Sequence, residues 1–295
     1  MNLEQIKVNL PSEIATLKTV VMCFSNPVNI ASILMHGGID MPLLYQLWHN
    51  KFSPFFDHKK VCSQQQSFMD ILKENGVQVL EADQIVGCGT QHYTRDIGFA
   101  IDDTFFVANP RRRYRKRELD GIKGLLSKLS KVSYVDEGAI EGGDVIVDEK
   151  HLIIGLGEET SQIGIDCLKS KMRESDINRE VITLEFSHRG VIHLDTKFNI
   201  PAKGVGFIHP KSFDPRSLKW LENNFDLIEA TDSEMKNIEI NTFSISPKKI
   251  VMQERSTRLA SLLEKKGVEI IFLDYSEVLK LPGSFRCTTL PIERV

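Results

Sequence analysis

Long apolar runs are missing from this 295-residue sequence, and none reaches the roughly 18 residues that a membrane-spanning helix needs. The opening segment, MNLEQIKVNLPSEIATLK, has no positively charged region followed by an apolar core, so it does not resemble a signal peptide. An excess of basic residues is missing too, since 37 Lys and Arg stand against 40 Asp and Glu. Proteins that act mainly on nucleic acid carry such an excess. We therefore expect a cytoplasmic protein with neither a nucleic-acid nor a membrane partner.

Paired cysteines are also missing. The five cysteines are odd in number, widely spaced and free of any CxxC pair, at positions Cys23, Cys62, Cys88, Cys167 and Cys287. This arrangement excludes a disulfide framework and a structural zinc site, and predicts reduced thiols. Cys287 stands apart because it lies eight residues from the last residue, where chains usually fray. It is therefore either incidental or held in place for a purpose.

No low-complexity segment or Pro/Gly/Ser-rich linker divides the chain, so we expect one domain over residues 1–295. Apolar residues make up 41% and charged residues 26%, as in globular proteins. Short β-like runs and amphipathic helices alternate along this length, and the pattern strand–strand–helix–strand returns about five times with a period of roughly 50–60 residues. Such a period favours radial or solenoid repetition within the α/β class. The alternative is an α+β domain whose units resemble one another by chance.

The individual units are read as follows. In the first, KTVVMCF is followed by a long irregular insert, a helix near 58–75 and VQVLEA. The second joins GFAIDDTFFVA (98–108), a helix with leucine spacing from Leu119 to Leu129, and VSYVD. The third joins DVIVDEKHLIIG, a helix over 161–172 and VITLEF. In the fourth, GVIHLDT (190–196) and GVGFIHP precede a helix over 214–222 and DLIEA. The fifth contains IEINTFSI, KKIVMQ, a helix that stops at Gly267, and VEIIFLD.

Polar residues stand where strands of four units end, and in a radial assembly such ends converge on the axis. A free thiol is only a few per cent thiolate at neutral pH, so Cys287 needs a base or a cationic substrate to act as a nucleophile. His193 and Asp195 of HLD would face one space if the segment is a strand. Histidine can protonate a leaving amine and later deprotonate water. Taken alone, a half-buried histidine satisfied by an aspartate explains HLD equally well.

The two glycines of EGGD allow a sharp turn or a close approach, which would bring Glu141 to the start of the strand that follows Asp144. As a bare motif this is weak, since any tight loop can carry it. Asp96 and Asp195 are more informative, because two carboxylates in one apolar pocket repel each other unless a cation lies between them. A planar guanidinium suits bidentate pairing with carboxylates. These residue types together therefore favour chemistry at a guanidinium carbon.

The segments TRD (94–96), EGGDV (141–145), HLDT (193–196) and RCTTLPI (286–292) resemble the guanidino-group modifying enzymes: arginine deiminases, dimethylarginine dimethylaminohydrolases and amidinotransferases. The resemblance implies a pentein-like fold, a five-bladed α/β propeller of ββαβ units, and no metal or organic cofactor. It also implies roles for five residues. Cys287 would be the nucleophile, His193 the general acid and base, Glu141 its partner, and Asp96 and Asp195 the guanidinium ligands.

Two features separate the members of this family. A long helical insert usual in arginine deiminases would not fit in this length, and dimethylaminohydrolases often read GLSxRT where this chain reads GLGEET (155–160). Glu159 thus replaces an arginine that helps to hold the substrate carboxylate in relatives. An acid there would repel a carboxylate and favour a neutral or cationic tail. Alternatively RRRYRKRE (111–118) holds the carboxylate, with Arg115 where relatives place a second carboxylate-binding arginine, or this run is a solvated surface patch.

The leading hypothesis is a hydrolase for a small guanidine, acting through a thiouronium-type intermediate and releasing an amine or ammonia and a ureido product. The alternative is an amidinotransferase, which passes the same amidino group to a second amine. A non-catalytic propeller that only binds a partner is the third hypothesis, disfavoured because all five candidate positions hold chemically suitable residues. A homo-oligomer is left open.

Overall fold

The computed structural model describes residues 5–26, 57–281 and 283–295. Most of the irregular insert predicted after the first strand lies outside these ranges. Fifteen strands are described: β1 (Leu17–Met22), β2 (Gln78–Glu81), β3 (Gly98–Ile101), β4 (Thr104–Val107), β5 (Val132–Tyr134), β6 (Val145–Val147), β7 (His151–Leu156), β8 (Glu180–Glu185), β9 (Phe198–Ala202), β10 (Val205–Ile208), β11 (Asp226–Glu229), β12 (Phe243–Ser246), β13 (Lys249–Gln253), β14 (Glu269–Leu273) and β15 (Leu290–Arg294).

The helices of the described residues are α1 (His58–Glu74), α2 (Arg113–Lys116), α3 (Lys123–Leu126), α4 (Gln162–Glu174), α5 (Pro215–Asn224), α6 (Asp232–Lys236) and α7 (Thr257–Glu264). The longer ones begin at side-chain caps. Asp57, Ser161 and Asp214 each accept hydrogen bonds from backbone N–H groups of the first turn, which otherwise have no partner within the helix. None of the described helices combines the length and apolar character needed to cross a membrane.

The strands form five three-stranded sheets, in the orders β15-β1-β2, β3-β4-β5, β6-β7-β8, β9-β10-β11 and β12-β13-β14. In the last four, an antiparallel hairpin is followed by helical structure and a third strand parallel to the second, which is the predicted unit. The first sheet is completed from the far end of the chain, because β15 pairs antiparallel with β1. Between sheets, β15 packs against β3 and β12 against β9.

Buried apolar side chains fill the interfaces between neighbouring sheets. One cluster joins the first three sheets through residues such as Val21, Phe105, Ile154 and Ile292, all fully or almost fully buried. A second joins the first and fifth sheets and includes Phe68 from α1. Strands that are buried on both faces read as continuous apolar runs, which explains why the sequence pattern was readable for β3, β4, β6 and β7.

Three sequence-based assignments were wrong in detail. GVIHLDT is not a strand, since the hairpin begins only at β9, and His193 is an extended residue before a 3₁₀ turn over Leu194–Thr196. The first half of IEINTFSI is likewise a loop that ends where β12 begins. The helix expected over 119–129 is broken: a 3₁₀ segment covers Arg117–Ile122, α3 covers only Lys123–Leu126, and α2 lies before the expected range. At this break Gly121 packs so closely on Gln91 that an added Cβ would lie 2.2 Å from its Nε2 atom.

Short turns precede the first strand of each hairpin and also precede β15. TRDI forms a 3₁₀ turn before β3, GGD one before β6 and LDT one before β9. The turn over residues 285–288 comes before β15. The candidate residues therefore stand on turns that lead into strands, rather than at the ends of strands.

Candidate active site

Cys287 lies in a buried turn and is 4% exposed. Its Sγ lies 3.6 Å and 3.8 Å from the two carboxylate oxygens of Asp195. Burial raises the pKa of the Cys287 thiol well above its ordinary value, and the negative charges of Asp195 and Asp96 raise it further. At neutral pH the thiol is therefore protonated while the site holds only its own side chains.

The carboxylate beside the thiol is held by the arginine that precedes the cysteine. Arg286 donates from Nη1 to Asp195 at 2.9 Å and from Nη2 to Glu13 at 2.8 Å, and its side chain is almost fully buried. Arg95 lies 3.5 Å from the same Glu13 carboxylate. Burial alone would raise the pKa of Glu13, but the arginines outweigh it and lower the pKa to about 2. Asp195 differs, since burial raises its pKa in spite of Arg286.

His193 sits between two carboxylates. Its Nε2 lies 2.9 Å from Glu141 Oε2, and its Nδ1 lies 3.6 Å from Asp96 Oδ1. Burial opposes protonation of the ring, but Asp96 and the hydrogen bond to Glu141 raise the pKa of His193 well above its usual range. For Asp96, burial is likewise outweighed by His193 and Arg115, and its pKa falls below the ordinary value. The imidazolium and the Asp96 carboxylate are thus both charged at neutral pH.

Arg115 brings a guanidinium of the chain itself into this cluster. Its Nη1 donates to Asp96 Oδ2 and to Glu141 Oε2, both at 2.8 Å. The opposite edge is held by Glu118, which accepts from Nε at 3.2 Å and from Nη2 at 3.1 Å. Asp96 and Glu141 therefore bind a guanidinium in this structure, and this guanidinium belongs to the protein's own Arg115. Glu141 Oε1, in contrast, is buried and has no hydrogen-bond donor in the described part of the chain.

The glycines of EGGD allow the turns to approach closely. A Cβ added at Gly143 would lie 2.6 Å from His193 Cγ and 2.7 Å from Asp96 Oδ1, so only glycine lets these side chains pack on this backbone. The Gly143 N–H donates to Asp96 at 3.1 Å. Asp144 accepts from the Leu194 N–H at 2.8 Å and from the Thr160 hydroxyl at 2.6 Å. Burial raises the pKa of Asp144 to about 7.

Glu159 is buried one residue before Thr160 and does not stand alone. Arg112, from the basic run, donates to Glu159 Oε1 from Nη2 at 2.7 Å and from Nε at 3.2 Å. Because the two charges offset each other, Glu159 is not the bare negative charge that the sequence comparison suggested. The run is also not uniformly solvated, since Arg112 and Arg115 are both 7% exposed.

The structure thus brings Cys287 to Asp195, and Asp96 to Glu141, His193 and Arg115, while Glu159 lies beside Arg112. In the described residues no hydrogen bond joins Cys287 to His193, and the polar neighbour of the thiol is Asp195. Asp96, Glu141 and His193 each offer one ligand atom within 4.8 Å of the others, so this group could also hold a metal ion. Part of that space is taken by Nη1 of Arg115.

The sequence analysis missed Asn241. This residue is 1% exposed, and its Oδ1 accepts from the backbone N–H groups of Arg286 at 3.1 Å and Cys287 at 3.2 Å. Its Nδ2 donates to the carbonyl of Asp195 at 3.1 Å. One signal could have found it, because Asn241 stands before β12, in the place that Asp96 and Asp195 take before β3 and β9.

Comparison with known proteins adds a family and a fold. A sequence model described as arginine deiminase matches residues 129–221 and 218–294. The chain is 28% identical over 290 residues to the uncharacterized protein YkgA of Bacillus subtilis (strain 168), covering 96% of this chain and 94% of that protein. It is 27% identical over 190 residues to an arginine deiminase of Streptococcus uberis, covering 52% of this chain and 46% of that enzyme. The chain thus spans about half the length of that deiminase.

Two solved structures superpose over nearly the whole chain. SxtG, an amidinotransferase from Microseira wollei in the saxitoxin biosynthetic pathway, gives a TM-score of 0.75 at 17% identity and 97% coverage of both chains. DDAH from Pseudomonas aeruginosa, solved with citrulline, gives 0.75 at 16% identity, with 94% of this chain and 99% of that one covered. At these identities the likeness concerns the fold alone, and it confirms the predicted pentein-like five-bladed α/β propeller.

Proposed function

Because the chain belongs to the arginine deiminase family of guanidino-group modifying enzymes, we propose that it is a cysteine-dependent hydrolase of a small guanidine. The substrate would be arginine-like or another guanidine, and the products an amine or ammonia and a ureido compound. The whole chain would act as one catalytic domain, without a metal or organic cofactor.

The observation that carries this proposal is a buried thiol beside a carboxylate, in a site where a second buried carboxylate keeps one oxygen without a donor. Cys287 contacts Asp195, and Glu141 Oε1 is buried without a donor in the described residues. An acceptor in that state costs free energy until a donor arrives. A guanidinium supplies several N–H donors in one plane together with a positive charge, which are the two things that this site needs.

The charge of the substrate would also activate the nucleophile. Among the protein's own groups, burial and two carboxylates raise the pKa of the thiol and keep it protonated. A guanidinium bound between Asp96, Glu141 and Asp195 would lower the pKa of the thiol, because an opposite charge nearby favours the thiolate. Deprotonation would then accompany binding, so the reactive thiolate forms only where its target carbon is present.

The chemical steps would follow from this arrangement. The Cys287 thiolate forms a bond to the central carbon, and the His193 imidazolium donates its proton to the departing nitrogen as the C–N bond breaks. The remaining amidino group stays on sulfur as a thiouronium cation. Neutral His193 then takes a proton from water, and the hydroxide oxygen bonds to the same carbon. The C–S bond breaks with its electron pair left on sulfur, and the hydroxyl proton passes to this thiolate as the C=O of the ureido product forms. Glu141 would hold the ring through both proton transfers.

Arg115 and Glu159 are proposed to act on the rest of the substrate. Arg115 keeps two bonds to Glu118 while its Nη1 lies on Asp96 and Glu141. A substrate guanidinium would compete with Nη1 for those oxygens, and the displaced nitrogen would turn towards a carboxylate on the substrate. Glu159, whose negative charge is offset by Arg112, would determine which charge is tolerated on the part of the substrate beyond its guanidinium.

Mass spectrometry of the intact protein during turnover tests the proposal. The panel comprises arginine, methylarginines, agmatine and guanidino acids, and the samples are quenched in acid. We expect an amidino adduct that maps to Cys287, a ureido product, and no adduct in Cys287→Ser. Adding a second amine distinguishes the alternative, since a transferase would convert that amine to a guanidine. If no member of the panel gives an adduct or a product, the hydrolase proposal is wrong for these substrates.

A further inference from the structure

One buried side chain, Asn241, joins the two segments that carry the thiol and its carboxylate neighbour. It accepts from the N–H groups of Arg286 and Cys287 and donates to the carbonyl of Asp195, at 3.1 to 3.2 Å. The partners lie 45 and 46 residues away in the sequence. A carboxamide suits this place because one end of a short side chain supplies both an acceptor and a donor. The amide therefore fixes the distance between the Cys287 turn and the Asp195 turn.

The loop before β12 is held in an unfavourable conformation that keeps Asn241 in place. Ile238 has φ of +54°, a left-handed conformation that is rare for β-branched residues. Its carbonyl accepts from the Asn241 N–H at 3.2 Å and from Gln253 Nε2 at 3.2 Å. Gln253 Nε2 also lies 3.2 Å from the Ser284 hydroxyl, three residues before Cys287. Backbone strain of this kind persists only where the surroundings over-determine it, and it is concentrated at functional sites.

The residues on either side of Asn241 are fixed separately. Asn199, on β9, donates from Nδ2 to the carbonyls of Ile240 at 3.0 Å and Thr242 at 2.9 Å. Asn199 is 3% exposed, and in the described residues it makes no hydrogen bond to Cys287 or Asp195, so it supports the loop without binding the candidate nucleophile. Two buried asparagines thus hold this loop, Asn199 from β9 and Asn241 from within it, and of these two only Asn241 bonds to the segments of Cys287 and Asp195.

Asn241 also completes a pattern around the ring. The turns before β3, β6, β9 and β15 contribute Asp96, Asp144, Asp195 and Cys287, and the turn before β12 contributes Asn241. We propose that Asn241 is a positioning residue, which holds the Cys287 turn against Asp195 so that Sγ lies where a bound guanidinium carbon can be attacked. This inference rests on the proposed function for its meaning in catalysis. Its geometric part concerns the reactivity of the thiol alone.

The test is the pH dependence of alkylation of Cys287 by iodoacetamide, resolved from the other cysteines by peptide mass mapping. Wild type is compared with Asn241→Ala, Asn241→Asp and Asn199→Ala, each checked by circular dichroism and thermal unfolding. Among the described residues, the ionisable groups that interact with this thiol are Asp195, Asp96, Arg286, Arg95, Tyr93 and Tyr275. All of them are retained in the three variants.

The two Asn241 variants are expected to shift the pH dependence of Cys287 alkylation in opposite directions. In Asn241→Ala the turn is released, Sγ moves away from Asp195, and the thiol pKa falls towards its ordinary value, so alkylation at pH 7 becomes faster. In Asn241→Asp the side chain can still accept hydrogen bonds from the N–H groups of Arg286 and Cys287. It adds a negative charge near the thiol, however, so alkylation at pH 7 becomes slower. Asn199→Ala should unfold at a lower temperature and keep the wild-type profile.

With a substrate from the panel, Asn241→Ala should lower kcat by about 100-fold with little change in KM, because a misplaced reacting atom costs about that factor. The inference is overturned if Asn241→Ala keeps the wild-type profile, or if it behaves like Asn199→Ala. Should Asn241→Ala fail to fold, the isosteric Asn241→Asp decides, because it removes the donor bond to the Asp195 carbonyl. A wild-type kcat in that variant would overturn the inference. Absence of turnover in wild type would count against the proposed function alone, since alkylation needs no substrate.

Discussion

At the scale of single residues, the site is governed by how buried charges offset one another. Asp195 contacts the Cys287 thiol and the Arg286 guanidinium at once, and Arg286 is shared with Glu13. Asp195 therefore both holds an internal arginine and raises the pKa of the neighbouring thiol. A change at one of these residues should alter both, in directions that the geometry defines.

Asp195→Asn should make the thiol more reactive while it abolishes most of the activity. Removing this charge lowers the pKa of Cys287, so its alkylation by iodoacetamide at pH 7 should become faster than in wild type. Turnover should nevertheless fall, because a ligand for the cation is lost. The variant should also be less stable, because removing one partner of a buried ion pair typically lowers the free energy of unfolding by about 3–5 kcal/mol. We expect the lower end of this range, since Arg286 still pairs with Glu13.

Peptide-resolved alkylation, turnover and denaturant unfolding measure these three effects. Asp103→Asn removes a carboxylate that is 64% exposed and serves as the control. Slower alkylation in Asp195→Asn would contradict the electrostatic account of the thiol.

Glu159→Gln tests the pair of Glu159 and Arg112. Without the carboxylate, the positive charge of Arg112 is no longer offset locally. We expect the ratio of kcat/KM for arginine over agmatine to rise several-fold, because these substrates differ only in the carboxylate. Glu158→Gln removes the same charge one residue earlier and should change this ratio less. Equal ratios in Glu159→Gln and wild type would place the pair away from the substrate tail.

At the scale of elements, the site is built from turns that lead into strands and are tied to one another by side chains. Asp144 illustrates this, since its carboxyl joins the turn before β6 to Leu194 of the turn before β9 and to Thr160 before α4. Its pKa of about 7 lies above the ordinary 3.8, so the folded state favours the protonated carboxyl. This stabilisation is complete below about pH 4 and is lost as the pH rises to 7.

Asp144→Asn should therefore make the free energy of unfolding depend less on pH between pH 4 and 7. Asparagine imitates the protonated carboxyl, so the free energy of unfolding of the variant should gain on wild type between pH 4 and 7, by up to about 4 kcal/mol. Urea unfolding at several pH values measures the difference. Asp166→Asn, at an exposed position of α4, is the control. A constant difference across this range would show that Asp144 does not titrate there.

At the scale of the whole molecule, the ring of sheets is closed by pairing β15 with β1. This pairing joins the last strand to the first sheet, and the turn with Cys287 lies immediately before β15. Ile292 on β15 is fully buried in the cluster shared by the first three sheets. The closing strand is thus part of the core and also anchors the candidate nucleophile.

Ile292→Ala should lower the free energy of unfolding by about 2–5 kcal/mol, the usual cost of a cavity at a buried isoleucine. Denaturant unfolding followed by far-ultraviolet circular dichroism gives this value. Ile163→Ala, at a side chain that is 62% exposed, should stay within about 0.5 kcal/mol of wild type. A cost as small as that of the control would mean that the closing strand contributes little to the fold.

Much of the fold could be predicted because its signals are local. Apolar runs mark β3, β4, β6 and β7, leucine spacing marks α7, and the repeated order of these signals indicates five units. The same repetition, with the four polar motifs, was enough for the family and for the propeller. The motifs also gave the five candidate residues of the site. The irregular insert predicted after the first strand lies mostly outside the described residues. One domain over the chain and a cytoplasmic location stay predictions.

Other features depend on contacts that no local pattern encodes. HLD could not be told from a strand, because alternating polar and apolar residues also occur in an extended segment before a turn. The positions of Arg115 between Asp96 and Glu141, and of Arg112 on Glu159, follow from packing of the broken helix against two turns. Asn241 belongs to none of the four motifs. Its place before β12 is a signal in the sequence, but its bonds to Arg286 and Cys287 form only when residues 45 and 46 apart meet.

The sequence by itself determined the elements, their repetition and the chemical inventory of thiol, imidazole, carboxylates and guanidiniums. These depend on hydrophobic periodicity and on side-chain chemistry, which are properties of single residues and short windows. Only the tertiary structure decided which acid faces which cation, and hence which groups are charged. A pKa in a buried site is set by burial and by neighbours within a few ångströms, and those distances exist only after the five sheets have closed.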